Sequence, residues 1–161
     1  MEQQPILYIA IGVSGAGKST VYEKLKEKDP DLIHFSWDAL KLEWYDPTDY
    51  ARAWTLANRD KHFKKKAYAV FLEHLKTGKS IYVDNTNLTI KRRKPMLEDG
   101  KKHGYITHGI TFDVDLKTAI ARQATRGDKY VPEGSVIQQF NSLQPPAWKE
   151  FDKTYESTRI I

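Results

Sequence analysis

The sequence predicts an α/β fold built on a parallel sheet of four to five strands flanked by helices, and three features carry that expectation. Apolar, β-branched runs recur at Ile6–Ile11, Leu32–Phe35, Ser80–Val83 and Ile106–Val114. Segments with three- and four-residue apolar spacing lie between them, so the strands are joined by helices instead of hairpins. A glycine-rich stretch, Gly12–Thr20, falls where the first strand hands over to the first helix.

The strand ILYIAI precedes a helix that starts near Lys18 and stops before Asp29–Pro30, because proline has no amide proton and restricts the residue ahead of it. A second strand, Leu32–Phe35, follows. Thr48–Thr77 reads as the longest helical stretch: Phe63, Ala67, Val70, Phe71, His74 and Leu75 recur at helical steps, and Gly78 suits its C-terminal cap. Beyond the strand Ser80–Val83, helices are expected over Ile90–Lys102 and Leu116–Thr125, the second capped by Asp115, with Gly104 and Gly127 marking their ends. A last helix over Pro132–Leu143 stops at Pro145–Pro146, and YESTRII can add an edge strand.

A chain of 161 residues with 40% hydrophobic content suits one buried core, and no repeat or linker divides it, so residues 1–161 are expected to form one domain. No apolar run reaches the ~20 residues of a membrane span, and the polar start MEQQP leads straight into a strand, which points to a cytoplasmic protein without a membrane partner. The absence of cysteine removes disulfides and thiolate metal sites. Five scattered histidines form no paired metal motif, and the net charge of +5 favours a polyanionic partner only weakly.

Gly12–Thr20 matches GxxxxGK[ST] at every fixed position. Glycines allow the backbone to curl around phosphate oxygens, and the helix that follows presents free amides and its positive dipole end to them. Gly12, Ser14, Gly15, Ala16, Gly17, Lys18, Ser19 and Thr20 are therefore expected to hold a nucleoside triphosphate. Lys18 neutralises terminal phosphate charge, and the Ser19 hydroxyl coordinates the magnesium ion that bridges the phosphates.

In an open parallel sheet the ligand lies beyond the carboxyl ends of the strands, and three further places there carry chemistry. Asp38, with Lys41 one helical turn on, can take a proton from an attacking hydroxyl while the lysine holds a substrate phosphate, or it can simply cap a helix. Asp84, at the end of SIYVD, can hold magnesium through water with Thr86 bonding substrate, or DNTN can be a polar turn. Arg122 and Arg126, four apart in ARQATRGDKYVP, share a helix face before a glycine hinge, which suits a mobile lid over triphosphate or, more plainly, a solvated face. Asp113 and Asp115 superficially match the DxD pair of aspartyl phosphatases, but Leu116 and Lys117 follow where glycine and threonine belong, leaving a strand end and a helix cap. The run Lys61–Lys66 reads as a solvated helix face.

Together GVSGAGKST, SWDALK, VDNTNLTIKRR and RQATRGDKYVP resemble, in order and spacing over nearly the whole chain, the kinase domain of the phage and eukaryotic polynucleotide 5′-hydroxyl kinases. The resemblance implies a P-loop kinase fold with a helical lid over about residues 122–132, ATP as donor with Mg2+, and the 5′-OH ends of DNA or RNA as acceptor. It implies that Asp38 is the general base, that Lys18 and Ser19 hold phosphates and magnesium, that Arg126 contacts the donor phosphates with Arg122 in the same lid, and that Thr86 lies near the acceptor with Val131 packed on a nucleobase. It also suggests a homo-oligomer and a nucleic-acid ligase as functional partner. Two departures stand out: Lys41 replaces the arginine of phage members, exchanging a bidentate grip for a point charge, and Trp37 replaces a residue that is often basic. The companion phosphatase domain of bifunctional relatives has no room in this sequence. Two other readings keep the phosphate loop: a phosphotransferase for a small-molecule hydroxyl, and an ATP-binding switch in which Asp38 only caps a helix.

Overall fold

Five strands form one parallel sheet in the order β2-β3-β1-β4-β5 in a computed structural model that describes residues 3–160. The strands are β1 (Ile6–Ile11), β2 (Ile33–Phe35), β3 (Ile81–Val83), β4 (Ile106–Thr111) and β5 (Lys153–Glu156). Seven α-helices connect them: α1 (Lys18–Lys28), α2 (Trp37–Trp44), α3 (Tyr50–Arg59), α4 (Phe63–Lys76), α5 (Ile90–Lys102), α6 (Leu116–Gln123) and α7 (Glu133–Ser142). The period of two along β1 builds two cores, one on each face of the sheet. Leu7, Ile9 and Ile11 pack with Phe71, Leu75, Met96 and Leu97 of α4 and α5. Ala10 joins Tyr82 and Ile110 under Val21, Ala119 and Val136 of α1, α6 and α7. Burial on both faces is heaviest in the central strands β1 and β3, which is why these read as continuous apolar runs. The α5 helix lies close against β1 because Gly100 has no side chain; a Cβ there would fall 2.7 Å from Leu7 Cδ2.

The helical stretch Thr48–Thr77 is not continuous. Asp49 caps α3 by accepting from the Arg52 amide at 3.1 Å, and the chain breaks after Arg59. Asp60 holds that break, accepting from the His62 amide at 2.9 Å, Lys66 Nζ at 2.6 Å and the Tyr45 hydroxyl at 2.5 Å. The pattern that marks α4 therefore begins only at Phe63, and Lys61–Lys66 straddles the break with its lysines exposed. The remaining differences are shorter elements: β4 stops at Thr111, α6 at Gln123 and α7 at Ser142. Of YESTRII, the first two residues end β5 and Ser157–Arg159 form a 3-10 turn. Met1 and Glu2 of MEQQP and the final Ile161 lie outside the described residues. Among the described residues no helix is long and apolar enough to cross a membrane.

Candidate active site

The adjacent central strands β1 and β3 deliver the phosphate loop and Asp84 to one edge of the sheet. The Gly12 amide donates to the Thr86 carbonyl at 3.1 Å, tying the loop to the segment after β3. Gly15 (φ 83°) and Gly17 (φ 98°) occupy left-handed backbone that other residues rarely adopt. Gly17 precedes α1 with no side-chain cap, which leaves the first-turn amides for a ligand. Lys18 turns its ammonium back into the loop, donating to the carbonyls of Val13 at 2.7 Å and Gly12 at 3.0 Å. Burial lowers its pKa to about 8; nearby Arg126 pushes the same way, while Asp84 and Asp38 oppose. Groups from four separate segments thus act on one ammonium.

Asp84 accepts from Ser19 Oγ and pairs with His34 Nε2, both at 2.8 Å through Oδ2. Burial works to raise its pKa, yet the bonds from His34 and Ser19 and the charge of Lys18 outweigh it and hold the carboxylate below its ordinary value. A serine hydroxyl beside an ionised carboxylate is a hard-oxygen set that fits Mg2+, which keeps several waters and takes few protein ligands. Among the described residues no group of three or more His, Cys, Asp or Glu gathers as a metal site, so such an ion would depend on phosphate oxygens for the rest of its shell.

The capping alternative for Asp38 does not hold. Ser36 is the N-cap of α2, accepting from the Ala39 amide at 3.3 Å, and the Trp37 amide donates to Asn85 Oδ1 at 2.9 Å. Asp38 sits in the first helical turn with its carboxylate released from that duty and 46% exposed. The Tyr50 hydroxyl donates to Oδ2 at 3.2 Å, and Lys41 Nζ lies 3.8 Å from Oδ1. Lys41 itself is buried, its ammonium 5.5 Å from the Trp54 ring and 5.6 Å from the Phe63 ring. Burial lowers its pKa, and Asp38 opposes the shift. Burial and the Asp38 charge raise that of Tyr50, with the Arg126 charge opposing. Trp37 is partly buried against the core, edge-on to Phe63 with centroids 5.7 Å apart.

Arg122 and Arg126 do not share a helix face, because α6 ends at Gln123 and Arg126 precedes the 3-10 turn Gly127–Lys129. Arg122 Nη1 donates to the Gly15 carbonyl at 3.0 Å, and Arg126 Nη1 to Gln123 Oε1 at 3.2 Å. Val131 packs partly against the core under α1, and its amide donates to the same Gln123 oxygen at 3.1 Å. Thr86 is half-buried, with its carbonyl committed to the phosphate loop. Asp115 caps α6, accepting from the Thr118 amide at 2.8 Å, as the sequence suggests, and Asp113 is exposed.

Three residues of this constellation have no signal in the sequence. Tyr50 lies in the stretch that reads as one long helix, so its approach to Asp38 depends on the turn that separates α2 from α3. His34 belongs to a strand whose residues look like core. Gln123, between the two arginines, is fully buried and donates to the Ser14 carbonyl at 3.0 Å, locking the phosphate loop to the Arg126 segment.

A family model described as an AAA domain matches residues 7–146. A candidate bifunctional polynucleotide kinase/RNA ligase of Autographa californica nuclear polyhedrosis virus is 28% identical over 134 residues, taking in 77% of this chain but only 18% of that protein. The chain thus spans less than a fifth of the curated relative it matches. Among solved structures, one from the Pnkp1/Rnl/Hen1 RNA repair complex superposes with a TM-score of 0.70 at 19% identity, covering 89% of this chain and 45% of the other. A gluconokinase from Sinorhizobium meliloti 1021 superposes with a TM-score of 0.65 at 17% identity, covering 99% and 89%. At these identities the structures establish a P-loop kinase fold and no more. The family match takes in the phosphate loop, Asp38, Asp84 and the arginine-bearing turn, and on that extent the chain belongs to the AAA domain family of P-loop proteins.

Proposed function

We propose that the chain is an ATP-dependent polynucleotide 5′-hydroxyl kinase. The observation that carries this reading is Asp38: it is not the cap of α2, it is half-exposed, it accepts from the Tyr50 hydroxyl, and its charge acts on Lys18. A P-loop that only held nucleotide would have no use for a half-exposed carboxylate whose charge acts on its lysine. The relative named a polynucleotide kinase/RNA ligase supports a nucleic-acid acceptor, and the likeness to an RNA repair complex agrees with it. By the same argument a nucleic-acid ligase is the proposed functional partner.

In this reading Lys18 leaves the Gly12 and Val13 carbonyls for the β- and γ-phosphates of ATP, and the first-turn amides of α1 take up the oxygens beside it. Magnesium held by Ser19, with Asp84 behind it through water, would neutralise charge shared by the β- and γ-phosphates. Asp38 accepts the proton of the 5′-hydroxyl as that oxygen approaches phosphorus in line. Lys41 supplies a point charge for the acceptor's phosphate, Thr86 lies on the acceptor side, and Val131 offers an apolar contact to the base. Residues 122–132 act as the lid, bringing Arg126 to the equatorial oxygens while Arg122 stays on the loop at Gly15.

The test is transfer from γ-labelled ATP, with magnesium, to single-stranded DNA and RNA ending in 5′-hydroxyl or 5′-phosphate. Label is expected only on the hydroxyl ends. A small-molecule acceptor is the second reading, supported by the alignment with gluconokinase over 99% of the chain; label on gluconate or a related polyol and none on either nucleic acid would establish it. ATP binding with no transfer to any of these would leave the nucleotide switch.

A second expectation concerns protons. With Lys18 at about 8 in the free protein, the lysine is largely deprotonated at pH 9, and a bound triphosphate raises its pKa by charge. Binding of ATP at pH 9 is therefore expected to take up protons, while at pH 6.5, where Lys18 is already charged, the uptake disappears. Calorimetry in buffers of different ionisation enthalpy measures this directly, and equal enthalpies across buffers at pH 9 would contradict the assignment.

A further inference from the structure

We infer that Trp54 is the stacking platform for the base of the acceptor's 5′-terminal nucleotide, a conclusion that rests on the polynucleotide kinase reading. Trp54 lies on α3 four residues after Tyr50, on the same side of the helix and about 6 Å along its axis. Tyr50 bonds Asp38, so a nucleoside whose 5′ oxygen meets Asp38 can extend its sugar along this turn and bring its base to the indole. Trp54 is 48% exposed, unusual for the largest apolar side chain in a helix that otherwise buries Tyr50, Ala53 and Ala57.

The buried ammonium of Lys41 lies over the Trp54 ring and within 3.8 Å of Asp38. The indole therefore connects physically to the candidate base through one lysine, and its exposed surface remains for a second π system. A base stacked there completes an arrangement of cation, indole and nucleobase, in which the lysine charge polarises the indole and the base is held without hydrogen bonds to its edge. Stacking of this kind tolerates any base, because every base has a π-face. A sugar acid or polyol has none, so the platform separates a nucleic-acid acceptor from the small hydroxyl compounds that other kinases of this fold accept.

The experiment compares wild type, Trp54→Ala and Trp54→Phe with a single-stranded 5′-hydroxyl oligonucleotide and with the same oligonucleotide made abasic at its 5′ end. Trp54→Ala is expected to raise KM for the ordinary oligonucleotide about 10-fold or more, and Trp54→Phe much less. KM for ATP should stay unchanged. On the abasic oligonucleotide, wild type and Trp54→Ala should become equal, because the partner of the stack has gone. An unchanged KM in Trp54→Ala, or a penalty that persists on the abasic end, overturns the inference while leaving the kinase assignment in place. Absence of label from wild-type protein on every 5′-hydroxyl end removes the acceptor reading and this platform together.

Discussion

Asp38→Asn is expected to lower kcat for transfer to a 5′-hydroxyl by about 10^2- to 10^4-fold, the usual worth of a general base in the transition state. The substitution keeps the size and shape of the side chain and removes its ability to take a proton. Because Ser36, not Asp38, caps α2, the helix keeps its N-cap and loses only the charge–dipole interaction of a first-turn carboxylate, about 0.3–1 kcal/mol. The pair with Lys41 is long, at 3.8 Å, and nearly half-exposed on the aspartate side, but the lysine is buried, so its loss lowers stability by about 1–3 kcal/mol, between the exposed and the buried limits. Melting temperature should therefore fall by several degrees while KM for ATP stays near wild type, with kcat and kcat/KM falling together, the signature of an interaction made only in the transition state. Steady-state kinetics with saturating ATP checks this. A variant that folds, binds ATP and still transfers at the wild-type rate would show that Asp38 is not the base.

The shape of the phosphate loop was readable from the chain because it is local. Gly12–Thr20 is nine consecutive residues, and the backbone freedom of Gly15 and Gly17, the lysine and the serine all follow from one short pattern. The same holds for the strands, whose apolar runs reflect burial on both faces, and for Ile90–Lys102, whose N-cap Thr89 and terminal Gly104 frame it in the sequence. Where the reading was incomplete, the deciding contacts join residues far apart in the chain. That Asp38 does not cap α2 turned on Ser36 and on Asn85, which reaches across from the β3 edge to the Trp37 amide. The break at Asp60 depended on Tyr45, just past the end of α2, and on Lys66 of α4. Helical spacing alone suggested that Arg122 and Arg126 lie side by side; the helix ends between them where Gln123 turns into the interior.

The arginine-rich start of α5 illustrates a second limit. From sequence, Lys91, Arg92, Arg93 and Lys94 are equivalent charges, yet Arg93 is the largest side chain in the protein to be fully buried among the described residues. Its position relative to Met96, Leu97 and Gly100 places it on the inward face, where three- and four-residue spacing would ordinarily put an apolar residue. What makes the burial tolerable lies 57 residues away, in Glu150, and no local pattern signals that pairing.

Arg93→Met should destabilise the protein by about 3–5 kcal/mol, the cost of stranding one partner of a buried ion pair. Arg93 Nε and Nη2 donate to the two Glu150 oxygens at 2.8 and 3.0 Å, and Nη1 donates to the carbonyls of Asn87 at 2.8 Å and Gln144 at 3.0 Å. Methionine fills much of the volume but leaves the Glu150 carboxylate, 7% exposed, without its cation, and leaves the carbonyls of Asn87, Gln144 and Pro145 without this donor. For a chain of this size that loss lowers the melting temperature by about 10 °C or more. Arg93→Met combined with Glu150→Leu should recover part of it, since removing both charges deletes the desolvation cost along with the pairing. The effect reaches the site through Asn87. Its carbonyl is held by Arg93, its amide bonds the Ala10 carbonyl at 2.7 Å at the end of β1, and it adjoins Thr86, which anchors Gly12. Arg93→Met should therefore also weaken the use of ATP at temperatures where the protein remains folded, although Arg93 approaches no phosphate. Thermal melts of the single and double variants, with KM for ATP measured beside them, test both halves. A single variant melting within about 2 °C of wild type would mean that water or relaxation satisfies Glu150 and that the pair is not what holds this corner together.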